Sequence, residues 1–239
     1  MAVRRIPIRD LLDQLEVAYG RPRFISRFDP MEELVSCILS QHTTDAKSFP
    51  AFARLRETFP TWQDVVDAGP AGLVPVIRTA GLANQKSKSI VRCLVEIRER
   101  TGGYALEVLR GMPLREARAW LQELPGVGPK TASIVLCFSF GMGAIPVDTH
   151  VFRVAWRLGL IPEKMGENKA HDALLKLVPS ELAFRFHTAL IQHGRLTCRA
   201  PLPDCGECVV AAECPYLRKG GPERRRREMR KARRVGAKK

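Results

Sequence analysis

The sequence predicts an all-α protein, and three observations carry that prediction. Apolar residues recur at helical spacing almost throughout the 239-residue chain. No stretch alternates apolar and polar residues as a half-buried strand does, and helix start and stop signals recur between the apolar runs. The elements follow in order. Leu11, Leu12, Leu15 and Val17 mark a helix over 7–19, and Leu34, Val35, Ile38 and Leu39 mark one over 30–43 that Asp29-Pro30 opens. Further helices are expected over 45–58, 61–68, 71–80 and 84–101, with Thr61 as an N-cap and Gly102-Gly103 as a stop. The rest fall at 114–123, 129–140, 149–159, 168–178 and 181–197, with Gly141 closing one and Ser180 capping the last. There is no internal repeat of solenoid period.

A composition that is 45% hydrophobic suffices for one sizeable core or two small ones. No uncharged apolar run approaches the ~20 residues of a membrane helix, and Met1 to Arg5 lead into an amphipathic stretch and not a signal-peptide core. A cytosolic protein without membrane contact is expected. The formal net charge of +14 points to a polyanionic partner, but its distribution limits that reading. From Arg218 to Lys239 twelve Lys or Arg stand against two Glu, so +10 of the charge sits in a tail whose composition predicts disorder. Such a tail serves as a solvated end or as a nonspecific anchor to nucleic acid, and function has to come from motifs.

The first motif, Leu124-Pro125-Gly126-Val127-Gly128-Pro129-Lys130-Thr131-Ala132, lies between two helical stretches. Its glycines allow a tight turn and a close backbone approach, and Pro129 suits a first helical turn, where its missing N–H is not needed. Free amides at such a helix start, with the positive end of the dipole, form a ready phosphate site. A plain αα-turn has the same pattern. Lys130 falls in that first turn, where the dipole opposes a positive charge and favours the free amine that can attack carbon. For an arbitrary lysine, contact with phosphate or solvent is the simpler reading.

In the second motif, Pro146-Val147-Asp148-Thr149-His150-Val151-Phe152-Arg153-Val154, Asp148 precedes an amphipathic helix. Taken alone it is best explained as the N-cap. Capping also fixes a carboxylate and keeps it ionised, so the two roles are compatible. His150 could serve as a general base, and a phosphate contact or plain packing is favoured over that.

The cysteines form the third feature. Cys37, Cys93 and Cys137 are scattered within apolar helical stretches and read as small buried hydrophobes. Cys198, Cys205, Cys208 and Cys214 are clustered as C-x6-C-x2-C-x5-C, which in a chain without secretory features argues for metal over disulfides. Four thiolates this close hold either a cubane iron–sulfur cluster or a tetrahedral zinc. Only Cys205 and Cys208 form a short pair, so the spacing leans away from zinc.

Together these motifs resemble the endonuclease III family of helix-hairpin-helix DNA glycosylases, over about Asp29 to Pro215. The resemblance implies two all-α lobes with a DNA groove between them. A six-helix barrel with the helix-hairpin-helix would span 23–142, and a helical lobe 1–22 with 143–216, followed by the basic tail 217–239. It implies a [4Fe-4S] cluster held by Cys198, Cys205, Cys208 and Cys214, which orders a loop carrying Arg195 and Arg199. It implies a monomer, cytoplasmic and nucleoid-associated, whose partner is double-stranded DNA with damaged bases or abasic sites. Lys130 would attack C1′ of the damaged nucleotide, displace the base and form a Schiff base that undergoes β-elimination. Asp148, facing it across the groove, would stabilise positive charge at the sugar. The flipped nucleotide would enter that groove.

DNA contacts are expected from Gly126, Val127, Gly128 and Thr131 of the hairpin and from His150. In Gly81-Leu82-Ala83-Asn84, Leu82 resembles the family's intercalating leucine. There is one departure. Where the family commonly reads L-S-x-Q-x-T-D, this chain reads Leu39-Ser40-Gln41-His42-Thr43-Thr44-Asp45, so either Gln41 or His42 would fill the gap left by the flipped base. Oxidised pyrimidines are the expected lesions. Alternatives are a monofunctional mismatch glycosylase of the same superfamily, a noncatalytic helix-hairpin-helix DNA-binding protein and an electron-transfer protein. The retained Lys130 argues against a monofunctional adenine enzyme.

Overall fold

A computed structural model describes residues 6–24, 26 and 28–236, with backbone alone over 233–236. The N-terminal residues 1–5 and the tail end 237–239, both used in the sequence reading, lie outside them. Among the described residues there is no strand, and no helix is long and apolar enough to cross a membrane.

The chain divides into two compact units, Ile25–Pro146 and Met1–Phe24 with Val147–Lys239. The discontinuous unit begins with α1 (Ile8–Tyr19). The continuous unit holds α2 (Pro30–Ser40), α3 (Asp45–Thr58), α4 (Trp62–Ile77), α5 (Ala83–Thr101), α6 (Leu114–Gln122) and α7 (Pro129–Phe140). The chain then returns to the first unit with α8 (Thr149–Arg157), α9 (Glu167–Leu177), α10 (Ala183–Leu196), α11 (Pro215–Arg218) and α12 (Gly221–Gly236).

Local chemistry starts and stops these helices. Asp29 caps α2, its carboxylate accepting from the amides of Met31 at 2.8 Å and Glu32 at 3.1 Å, with Pro30 at the first position. Thr61 and Asp64 form a reciprocal capping box on α4. The two helices that the sequence predicts over 61–68 and 71–80 are present within α4 as two segments separated at Gly69, which sits at φ 63° before Pro70, and the second ends at Ile77 with a 3₁₀ turn over Arg78–Ala80. Helix α2 ends at Ser40 and not at 43, because Gln41 leaves the helix at ψ 131° and His42 then turns left-handed at φ 53°. Ser180 opens a short 3₁₀ turn without a side-chain cap, and α10 follows it.

The tail departs most from expectation. Instead of disorder, Gly221–Gly236 forms α12. Arg, Glu, Met and Ala are strong helix formers, Arg225 pairs with Glu228 one turn on at 3.1 Å, and Gly221 lies so close to Tyr216 that a Cβ there would meet the ring at 2.3 Å.

The continuous unit is built on α2, which packs on α3, α5 and α7, while α4 packs along α5. Leu34, Ile38, Leu55, Leu73, Ile77, Ile90 and Leu94 are fully buried there, each contributing about 1.5–3 kcal/mol relative to exposure. In the other unit α10 packs on α8 and α1. Leu11, Leu12 and Leu15 of α1 are fully buried, and Arg185 of α10 holds Glu16 of α1 through two hydrogen bonds at 2.6 and 2.7 Å.

Candidate active site

The hairpin joins α6 to α7. Gly126 takes φ 81°, and an added Cβ would fall 2.9 Å from that of Ser89, so nothing larger than glycine fits. Val127 is buried beneath the turn, and its amide donates to the Leu124 carbonyl at 3.1 Å. No side chain caps α7 at Gly128, and Pro129 carries no N–H. The amides of Lys130 and Thr131 therefore stand at an open helix start, with the dipole's positive end behind them. Lys130 is exposed as the second residue of α7.

Gln41 braces this turn from α2's end. Its Nε2 donates to the Gly126 carbonyl at 2.8 Å and to Thr131 Oγ1 at 3.4 Å. His42, beside it, is exposed in its left-handed conformation. Leu82 is also left-handed, at φ 50° and ψ 35°, and is 54% exposed, an unusual state for an apolar side chain at the head of α5.

In the discontinuous unit Asp148 is the N-cap of α8, one carboxylate oxygen accepting from the Val151 amide at 2.7 Å. His150 is half-buried, its Nδ1 3.0 Å from Arg153 Nη2. Two arginines one turn apart then tie α8 to the first cluster cysteine. Arg153 donates to the carbonyls of Cys198 at 2.9 Å and Gly194 at 2.7 Å. Arg157, 5% exposed, donates to the carbonyls of Cys198 at 3.2 Å and Arg199 at 2.9 Å. The sequence reading missed both, since an arginine on an amphipathic helix gives no sign that its acceptors lie about 40 residues on.

Cys198, Cys205, Cys208 and Cys214 line a single cavity of about 20 Å³ with Arg157 and His193. Burial pushes the Cys208 thiol up to about 11, and it raises Cys205 and Cys214 as well, with the neighbouring cysteines adding to the shift. Thiolates here need positive charge nearby. Arg157 Nη1 lies 3.4 Å from Cys198 Sγ, and its Nε is buried without a hydrogen-bond partner among the described residues. Four soft donors around one space, with an unsatisfied guanidinium N–H beside them, fit an anionic thiolate-ligated cluster. Among the described residues no three His, Cys, Asp or Glu are arranged around a single metal ion.

Removing Arg157 takes the side-chain donor from the Arg199 carbonyl and the guanidinium from beside Cys198 Sγ, while the Cys198 carbonyl keeps its bond from Arg153. Arg157→Met should therefore destabilise the protein by about 2–4 kcal/mol, read as a lower midpoint of thermal unfolding with unchanged helix content at low temperature.

Known proteins are similar to this chain in sequence and fold. The HhH-GPD superfamily of base excision DNA repair proteins matches residues 35–180. Endonuclease III of Escherichia coli strain K12 is 38% identical over 191 residues, covering 80% of this chain and 85% of its own. A DNA glycosylase homologue of Arabidopsis thaliana is 36% identical over 193 residues, and the chain spans 63% of that relative's length. A solved structure of a trapped endonuclease III–DNA covalent intermediate superposes with a TM-score of 0.75 at 31% identity, over 89% of this chain and 96% of that one. The chain thus belongs to the HhH-GPD superfamily of base excision DNA repair proteins and, within it, to the endonuclease III family of DNA glycosylase/AP lyases.

Proposed function

We propose that the chain removes oxidised pyrimidines from double-stranded DNA and cleaves the resulting abasic strand, with Lys130 as nucleophile and Asp148 as its acidic partner. The observation that carries this reading is the exposed amine of Lys130 at the uncapped start of α7. A DNA phosphate bound by the amides of Gly126, Gly128 and Thr131 would bring the adjacent sugar to that amine; the Val127 amide is already engaged with the Leu124 carbonyl, which takes Val127 out of the expected contacts.

The amine forms a bond to C1′ as the glycosidic bond breaks and the base leaves with the electron pair and a proton. Opening of the sugar ring yields a protonated imine on Lys130. Loss of a C2′ proton then expels the 3′ phosphate by β-elimination, and water releases the lysine. The Asp148 carboxylate, held by its cap bond, stabilises the positive charge that develops at the sugar and assists the proton transfers.

Gln41 is committed to bracing the hairpin, which favours His42 as the residue that fills the gap, with Leu82 as the wedge. His150, engaged with Arg153, is assigned to packing. Cys198, Cys205, Cys208 and Cys214 would hold a [4Fe-4S] cluster whose bonds fix the 198–214 loop, and no step of the reaction runs through it.

The purified protein should nick abasic and thymine-glycol duplexes and be trapped on them by borohydride, with the visible absorption of an iron–sulfur protein. Absence of trapped complex on both duplexes overturns the reading. Helix α12 adds a second DNA contact, supported by its eight Lys or Arg. Changing Arg224, Arg225, Arg226 and Arg227 together to Gln should flatten the slope of log affinity against log salt by roughly 2–3 on undamaged duplex. An unchanged slope removes α12 from the interface.

A further inference from the structure

Lys86 lies in the first turns of α5 and is 3% exposed, a rare state for a lysine. Its Nζ donates to the Leu39 carbonyl at 2.6 Å and the Ala80 carbonyl at 2.8 Å. Its backbone amide donates to the Leu82 carbonyl at 2.9 Å. Among the described residues only two that are not glycine have positive φ, His42 and Leu82. Leu39 lies three residues before the first, and Ala80 two residues before the second.

We propose that Lys86 is a positioning residue whose single buried ammonium holds the roots of the His42 and Leu82 turns in one arrangement, so that the two side chains meet a DNA duplex as one preset unit. Non-glycine residues stay left-handed only where their surroundings over-determine them, and bonds from an ammonium to carbonyl oxygens are strong, charge-assisted ones. A lysine serving stability alone could tie any two segments of the core. This one ties the two that end in strained turns. Burial lowers its pKa, so the carbonyls offset the desolvation of the ammonium.

The DNA side of this inference rests on the reading of His42 and Leu82 given above, and the tie itself does not. Hydrogen exchange on the free protein tests the tie. In Lys86→Met, amides over 40–44 and 80–84 should exchange at least ~10-fold faster together while the rest of 25–146 stays within ~2-fold. Faster exchange in only one segment, in neither, or across the whole unit overturns it.

The second arm is a mutant cycle on a thymine-glycol duplex. Lys86→Met should lower kcat/KM ~30-fold in the parent but no more than ~3-fold in the His42→Ala, Leu82→Ala background. Additive losses overturn the coupling. Should Lys86→Met not fold, Lys86→Gln carries both measurements. A parent inactive on every duplex refutes the function and leaves the exchange result standing.

Discussion

Lys130→Ala is expected to abolish covalent trapping by borohydride and to slow nicking of an abasic duplex by at least ~10³-fold, with affinity for that duplex within about threefold. The asymmetry follows from what the side chain contributes. Removing a nucleophile removes a bond made only along the reaction path, whereas phosphate binding at the start of α7 comes from backbone amides and the dipole, which the substitution leaves in place. Lys130→Arg separates nucleophile from phosphate contact. A guanidinium keeps the charge and cannot lose its proton to attack carbon, so it should bind and fail to trap. If Lys130→Arg is trapped as well as the parent, the assigned nucleophile is wrong.

Asp148 is the second large effect, and its position at a helix start allows its two roles to be measured apart. Asparagine caps a helix about as well as aspartate. Asp148→Asn should therefore keep the bond from the Val151 amide, leave unfolding within about 0.5 kcal/mol of the parent, and still reduce the rate of base removal by ~10²–10³-fold, because the carboxylate's charge opposite a cationic sugar is lost. Asp148→Ala should lose the same activity and a further ~1 kcal/mol of stability. Single-turnover base release and thermal unfolding, measured on both variants, give the comparison. An Asp148→Asn protein that retains parental turnover would reduce Asp148 to a cap.

What the sequence made legible was local. Gly126, Pro129 and Lys130 announce a hairpin because a tight turn and a helix start are decided within a few residues. The helix starts at Asp29, Thr61 and Asp148 and most helix spans follow for the same reason. The bonds that join distant segments were not legible. Gln41 meets Gly126 across 85 residues, Lys86 meets Leu39 across 47, and Arg153 meets Cys198 across 45. In each case a polar side chain finds a backbone carbonyl, and carbonyls carry no sequence signal. The basic tail was misjudged differently. Its charge pointed to solvation, but its arginines, glutamates and alanine also favour a helix, and Tyr216 offers Gly221 a surface to pack on.

The pairing of α1 with α10 bears on how the protein is made. At roughly 5–20 residues per second of synthesis, Glu16 waits roughly 10–30 s for Arg185, 169 positions downstream. Through that interval the apolar stripe of Leu11, Leu12 and Leu15 has no α10 to cover it, while 25–146 can already collapse around its own core. The nascent chain thus carries an uncovered apolar stripe while a neighbouring unit has already collapsed, and α1 finds its partner only once α10 has emerged.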